Sequence, residues 1–166
     1  AWAQVANTIS EHEPVHMLCH PGQLTLAQKT LARPVTVHAL EIDDAWIRDS
    51  GPTFVTGEHG LGGVDWVFNG WGDHTAFDWS QDAKVASHII ELAGAKRLGS
   101  DLVNEGGGIH VNGEGDVLLT RTVQLDPGRN PTATEDTVEA EVHQKLGTER
   151  ATVSYTHLRA HETNQD

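Results

Sequence analysis

The sequence predicts an α/β protein assembled from repeated ββαβ units, and three observations point to it. A segment that begins on an acid, passes through glycine and enters an apolar strand occurs twice, as Asp49-Ser50-Gly51-Pro52-Thr53-Phe54-Val55 and as Glu105-Gly106-Gly107-Gly108-Ile109-His110-Val111, 56 positions apart. Each copy leads into a glycine-rich turn, a second strand (64–68 and 116–120), a long loop, a helix (81–93 and 134–146) and a closing strand near 95–98 and 150–153. Each helix carries ordinary end signals. Ser80 or Thr134 can cap the start, and Gly94 or Gly147 stands just past the end, where a left-handed residue is easiest without a β-carbon.

Ahead of these units, Trp2, Val5, Ala6 and Ile9 have the three-four spacing of an amphipathic helix, which Glu13-Pro14 closes. A strand is expected over 15–19, a short helix over about 23–32 that stops before Pro34, and a strand over 35–40 with Val35, Val37 and Ala39 on one face. This strand–helix–strand stretch reads as part of a preceding unit. Repeated units leave a flank uncovered until further units close the ring or stack, so the chain is expected to continue.

At 166 residues, with 37% hydrophobic and 21% charged residues and seventeen glycines, the composition is that of one globular domain rich in turns. No apolar run reaches the 18 or so residues a membrane span needs, and the N-terminus lacks a basic stretch followed by an apolar one. A formal charge of −13 disfavours nucleic acid, whose phosphates require a surplus of Lys and Arg, and suits a small cationic substrate better. The single cysteine, Cys19, excludes an internal disulfide and fits a reducing, cytoplasmic setting. Its place in Val15-His16-Met17-Leu18-Cys19 is that of a buried strand residue. Eleven histidines invite a metal site, but they are scattered, with no HExxH and no CxxC, so no metal is expected.

Residues 154–166 depart in pattern from the rest and read as translated adapter sequence, to be set aside from the fold. Without Arg159, Glu162 and Asp166 the charge moves only from −13 to −12, so the charge reading stands. The alternative is a genuine polar C-terminal helix. The chain is therefore divided into a repeat-bearing domain over 1–153 and a tail over 154–166.

Four stretches carry a resemblance: Asp43-Asp44-Ala45-Trp46-Ile47-Arg48-Asp49-Ser50-Gly51-Pro52-Thr53-Phe54-Val55, Val64-Asp65-Trp66-Val67-Phe68-Asn69-Gly70-Trp71-Gly72, Asn104-Glu105-Gly106-Gly107-Gly108-Ile109-His110-Val111-Asn112-Gly113-Glu114-Gly115, and Arg129-Asn130-Pro131. In order and spacing they resemble the agmatine deiminase family, grouped with the Porphyromonas-type peptidylarginine deiminases, over residues 1 to about 153. The resemblance implies a partial pentein: about two complete ββαβ units and part of another, from a ring of five around a channel that holds the active site. It implies hydrolysis of agmatine to N-carbamoylputrescine and ammonia through a cysteine thiol intermediate, in putrescine formation, with no metal or organic cofactor. The intact enzyme could form a homo-oligomer.

Guanidinium hydrolysis needs a planar cation held bidentately, a nucleophile for its central carbon and a proton shuttle for departing ammonia. A carboxylate matches the N–H fork of a guanidinium with two parallel charge-assisted bonds. Asp49 resembles the family's guanidinium-binding aspartate. Glu105 resembles the glutamate that hydrogen-bonds the catalytic histidine and sets its tautomer. Trp46 resembles the tryptophan that packs on the substrate, where an indole face attracts a cation. The repeat places Asp49 and Glu105 at equivalent positions, so both are expected at one end of the channel.

Gly106, Gly107 and Gly108 precede no GK[ST] and allow a tight backbone rather than a phosphate loop; many relatives carry a small polar residue at Gly108, leaving one local hydrogen bond open here. Arg129-Asn130-Pro131 is expected to be a turn held by side-chain bonds, and Arg48 to pair with a nearby acid. The family's histidine-and-aspartate motif would follow residue 153 and its nucleophilic cysteine would come later; neither is in this chain, and Cys19 lacks the right context. The rival readings are protein-arginine deimination, amidino transfer by related chemistry, and a non-catalytic guanidinium-binding piece. The downstream reading frame discriminates them.

Overall fold

The structure is a computed structural model that describes residues 1–73 and 78–154. It separates into two compact units, Ala1–Asp43 and the chain from Asp44 onward.

In the first unit, helix α1 (Trp2–Ile9) buries Ala6 and leaves Trp2, Val5 and Ile9 exposed. Strand β1 (Val15–Cys19) follows, then a 3-10 turn (Pro21–Gln23), α2 (Leu24–Thr30) and β2 (Val35–Ala39). The helix expected over 23–32 thus begins with a proline-led turn, where the His20 ring accepts from the Gly22 amide at 3.1 Å. β1 and β2 pair in parallel, Val15 opposite Val35 through Cys19 opposite Ala39, which requires a crossover such as α2. Cys19 is buried, as its strand setting implied. Asn7 ties the pieces together, donating to the Thr30 carbonyl and accepting from the Ala32 amide at 2.7 Å.

The second unit contains, in order, α3 (Ile47–Ser50), β3 (Thr53–Gly57), β4 (Gly60–Val67), the distorted turn α4 (Gly70–Asp73), a 3-10 turn (Asp82–Lys84), α5 (Val85–Leu92) and β5 (Lys96–Val103). It continues through β6 (Ile109–Val111), β7 (Asp116–Thr120), α6 (Arg121–Gln124), α7 (Glu135–Leu146) and β8 (Arg150–Ser154). Two three-stranded sheets result, β3-β4-β5 and β6-β7-β8. Each pairs its first two strands antiparallel, crosses over through a helix and adds the third strand in parallel. The chain is a mixed α/β fold.

β4 is buried without alternation from Gly62 to Trp66, as expected of a strand covered on both faces. On one side α5 packs so tightly that a β-carbon on Gly63 would stand 2.5 Å from Ile90. Val64, Trp66 and Leu102 of the first sheet share one core with Val117 and Leu119 of the second and with Val138 and Val142 of α7. Burial of such side chains contributes roughly 1.5–3 kcal/mol each.

The helix ends differ in how they are made. Thr134 forms a capping box with Thr137, and Gly147 takes φ 67° just past α7, as the sequence predicts. Ser80 does not cap the other helix: its amide is taken by the Asp78 carboxylate, and the chain enters α5 through the 3-10 turn with no side-chain cap. Short helices that no periodicity announced stand ahead of β3, as α3, and after β7, as α6. β5 runs on to Val103, well beyond the expected 98. Residues 155–166, most of the segment read as a tail, lie outside the described residues; Ser154 is the last residue of β8.

Candidate active site

The approach to Asp49 is built from its own neighbours. Asp44 accepts from the Ala45 amide at 2.7 Å and from the Trp46 indole N–H at 3.0 Å, while the Asp44 amide donates to Asp82. The amides of Asp49 and Ser50 both donate to the Trp46 carbonyl, winding one turn of helix. Pro52 ends it. The residue before a proline is driven to extended backbone, and Gly51 has φ −84°, ψ 169°. Only glycine fits there, because a β-carbon would stand 2.4 Å from the Ile47 carbonyl oxygen. The turn leaves Asp49 half-buried, four residues ahead of β3, and Trp46 exposed at 54%.

Glu105 occupies the matching place, four residues ahead of β6. The Asn104 amide continues the end of the first sheet by donating to the Val67 carbonyl at 3.1 Å, and the Gly108 amide returns to the Glu105 carbonyl at 2.8 Å. The carboxylate itself is almost fully buried, at 2% exposure. Such a group must be paired to remain charged. The pair is Arg129, which donates from Nε to Oε2 at 3.0 Å and from Nη2 to Oε1 at 2.6 Å. Its Nη1 donates to Asp126. Burial alone would lower the Arg129 guanidinium, but the hydrogen bonds and charges of Glu105 and then Asp126 hold it above its ordinary range.

The loop that delivers Arg129 is pinned at several points. Asn130 accepts from the Val103 amide and donates to the Val103 carbonyl, both at 2.9 Å, like a further strand residue at the end of β5. Asn69 donates to the Gly128 carbonyl at 3.0 Å and accepts from the Gly72 amide at 2.8 Å. The stretch Phe68-Asn69-Gly70-Trp71-Gly72 is therefore a clasp on this loop. It is sharply bent, with Trp71 at φ 62° and its ring edge-on to Phe68. Gly70 at φ 64° has no room for a β-carbon beside Trp79.

The two acid-bearing loops touch. A β-carbon on Gly106, next to Glu105, would lie 2.6 Å from both the carbonyl oxygen and Cδ of Arg48, next to Asp49. Arg48 makes no ion pair among the described residues, contrary to expectation; its stem lies along Gly106 instead. Gly108 is equally crowded, 2.4 Å from Asn104 Oδ1 at the β-carbon position. Gln124 donates to Asn104 and to the Gly108 carbonyl, while Asn104 Nδ2 and Gln124 Oε1 are buried with no hydrogen-bond partner among the described residues.

Reading the sequence missed what Arg129 does. Its turn is held by side-chain bonds as expected, but its guanidinium is also the partner of Glu105. The signal available was an arginine beside a proline-stopped turn, and nothing local says which of twenty-four acids it meets. No group of three or more His, Cys, Asp or Glu among the described residues could hold a metal ion. No described helix is long and apolar enough to cross a membrane.

Known proteins resemble this chain in sequence and in fold. The Porphyromonas-type peptidyl-arginine deiminase family matches residues 1–166, and the chain belongs to that family. It is 55% identical over 152 residues to a protein of Streptomyces coelicolor named as a candidate agmatine deiminase, covering 91% of this chain and 45% of that one. A protein of Streptomyces avermitilis with the same description is 52% identical, with 91% and 44% covered. A solved structure of the agmatine deiminase of Enterococcus faecalis, described as catalysing its reaction, superposes with a TM-score of 0.86 at 36% identity, covering 92% of this chain and 43% of that one. The chain spans less than half the length of the relatives it matches.

Proposed function

We propose that this chain is part of an agmatine deiminase, a hydrolase of linear amidine C–N bonds that converts agmatine and water to N-carbamoylputrescine and ammonia, in putrescine formation in the cytoplasm. The observation that carries the reading is the contact between the two loops that present Asp49 and Glu105, in a chain whose relatives bear that name. The finer fold reading goes with it: the two sheets are successive ββαβ units of a pentein, β1-α2-β2 belongs to a preceding unit, residues 1–153 are part of the catalytic domain and 154–166 are an artefactual tail.

In this mechanism Asp49 clamps the guanidinium with two parallel hydrogen bonds and Trp46 covers its cationic face. A cysteine thiolate from the rest of the enzyme attacks the central carbon, and a histidine oriented by Glu105 gives its proton to the departing ammonia. Water then attacks the amidino thioether, the histidine takes a proton from it, and the thiolate leaves to release the ureido product. No metal or organic cofactor takes part.

The test is ammonia release by the complete enzyme with agmatine and with an arginine-containing peptide. Agmatine is expected to be the better substrate. Asp49→Asn is expected to lose about 2–5 kcal/mol of transition-state stabilisation, as when one partner of a desolvated charge pair is removed. The present chain alone, without the thiol and histidine, is expected to release none. Near-normal turnover by Asp49→Asn removes Asp49 from the site, a preference for the peptide moves the reading to protein-arginine deimination, and an inactive complete enzyme leaves a guanidinium-binding protein.

A further inference from the structure

We infer that Arg129 is a positioning residue for the deimination site: it holds both oxygens of the Glu105 carboxylate, so that Glu105 can orient the catalytic histidine only while Arg129 is in place. The inference rests on the reading of Glu105 proposed above.

An ionised carboxylate offers about four lone-pair sites on two oxygens. Arg129 takes one on each, through Nε and Nη2, and fixes the plane of the group. One site on each oxygen remains for a ring N–H. The geometry is set from outside the pair. Asp126 accepts from Nη1 and also turns the chain, since its carbonyl accepts from the amides of Arg129 and Asn130 at 2.9 and 2.8 Å. Asn130 then fastens that turn to Val103, two residues before Glu105. The arginine and its acid are thus anchored to the same strand end, with both side chains under one-tenth exposed.

Stability alone does not account for this arrangement. A buried ion pair contributes little net stability compared with apolar side chains of similar volume, because desolvation offsets the attraction. What the bidentate fork adds is orientation. Without Arg129 the Glu105 carboxylate would lose both of the donors that fix its plane.

The experiment compares kcat and KM for agmatine in the complete enzyme, for the parent and for Arg129→Met, Arg129→Lys, Arg97→Gln and Glu105→Gln. Arg97 pairs with the buried Asp65 elsewhere in the sheet, so Arg97→Gln serves as an ion-pair control. Arg129→Met is expected to lower kcat by about tenfold or more, part of the roughly 100- to 10,000-fold that a positioned proton shuttle contributes. KM is expected to change little, so that the loss appears in kcat. Arg129→Lys restores the charge without the fork, so kcat should recover only in part. Arg97→Gln is expected to lower the melting temperature and leave kcat in place. A parental kcat in Arg129→Met overturns the inference, as does an equal loss of kcat in Arg97→Gln. Should Arg129→Met fail to fold, Arg129→Lys decides alone: full parental kcat overturns the inference, and a reduced kcat with a parental KM supports it. Full turnover in Glu105→Gln shows instead that the underlying reading of Glu105 is wrong.

Discussion

Gly106 lies against Arg48 so closely that a β-carbon on Gly106 would stand 2.6 Å from the Arg48 carbonyl oxygen. Backbone meets backbone there. The absence of a side chain at one position lets the loop of Asp49 and the loop of Glu105 share one end of their sheets.

That contact makes Gly106→Ala a sensitive probe. The obstruction is partly main chain, so no rotamer change can relieve it and one loop must move. A displacement of about 1 Å can cost on the order of 100-fold in rate when it misaligns reacting groups. The expected outcome is a large fall in kcat/KM for agmatine in the complete enzyme, with circular dichroism preserved. Unchanged kinetics would show that the spacing of the two loops does not matter to turnover.

Trp46 gives a different signature. The residue is 54% exposed and, among the described residues, its ring is tied down by the indole N–H on Asp44, so Trp46→Ala should scarcely change the melting temperature. A cation over an indole face gains about 0.5–2 kcal/mol. KM for agmatine is accordingly expected to rise several-fold, measured by steady-state ammonia release. A variant that melts much earlier yet binds agmatine normally would assign Trp46 to packing.

Asp116 provides a pH test of the second sheet. The hydrogen bond from Arg150, with Asn112 adding to it, holds its carboxyl below the ordinary aspartate value. A lowered folded-state value means the unfolded chain takes up the proton first on acidification. The resulting stabilisation is therefore complete above about pH 4 and is lost as pH falls through the lowered value. Melting temperatures of the parent and of Asp116→Asn should differ modestly at neutral pH, because the pair is exposed. They should converge as the pH falls through that lowered value. A gap that persists undiminished in acid would rule out the ionic origin.

Much of the fold was legible because its signals are local. Alternation marked β2, the glycines at 94 and 147 marked where helices stop, and the matched acid–glycine–strand segments marked the entries to β3 and β6. What escaped was set by contacts between distant segments. Ser80 was a plausible cap, yet Asp78 takes its amide and the helix starts later. α3 and α6 are too short to show a period, and each is held by its flanking backbone bonds.

The sequence by itself determined which residues stand ahead of each first strand, and so put Asp49 and Glu105 in equivalent places. Glycine at 51 and proline at 52 are sufficient to end α3 and send the chain into β3. Only the tertiary structure decided that Glu105 is buried against Arg129, twenty-four positions later, and that Gly106 meets Arg48. Both are matters of which chain segments pack together. A buried carboxylate requires some cation, and a bare glycine permits some close approach, but neither requirement names its partner until α6 and its turn are folded onto the end of β5.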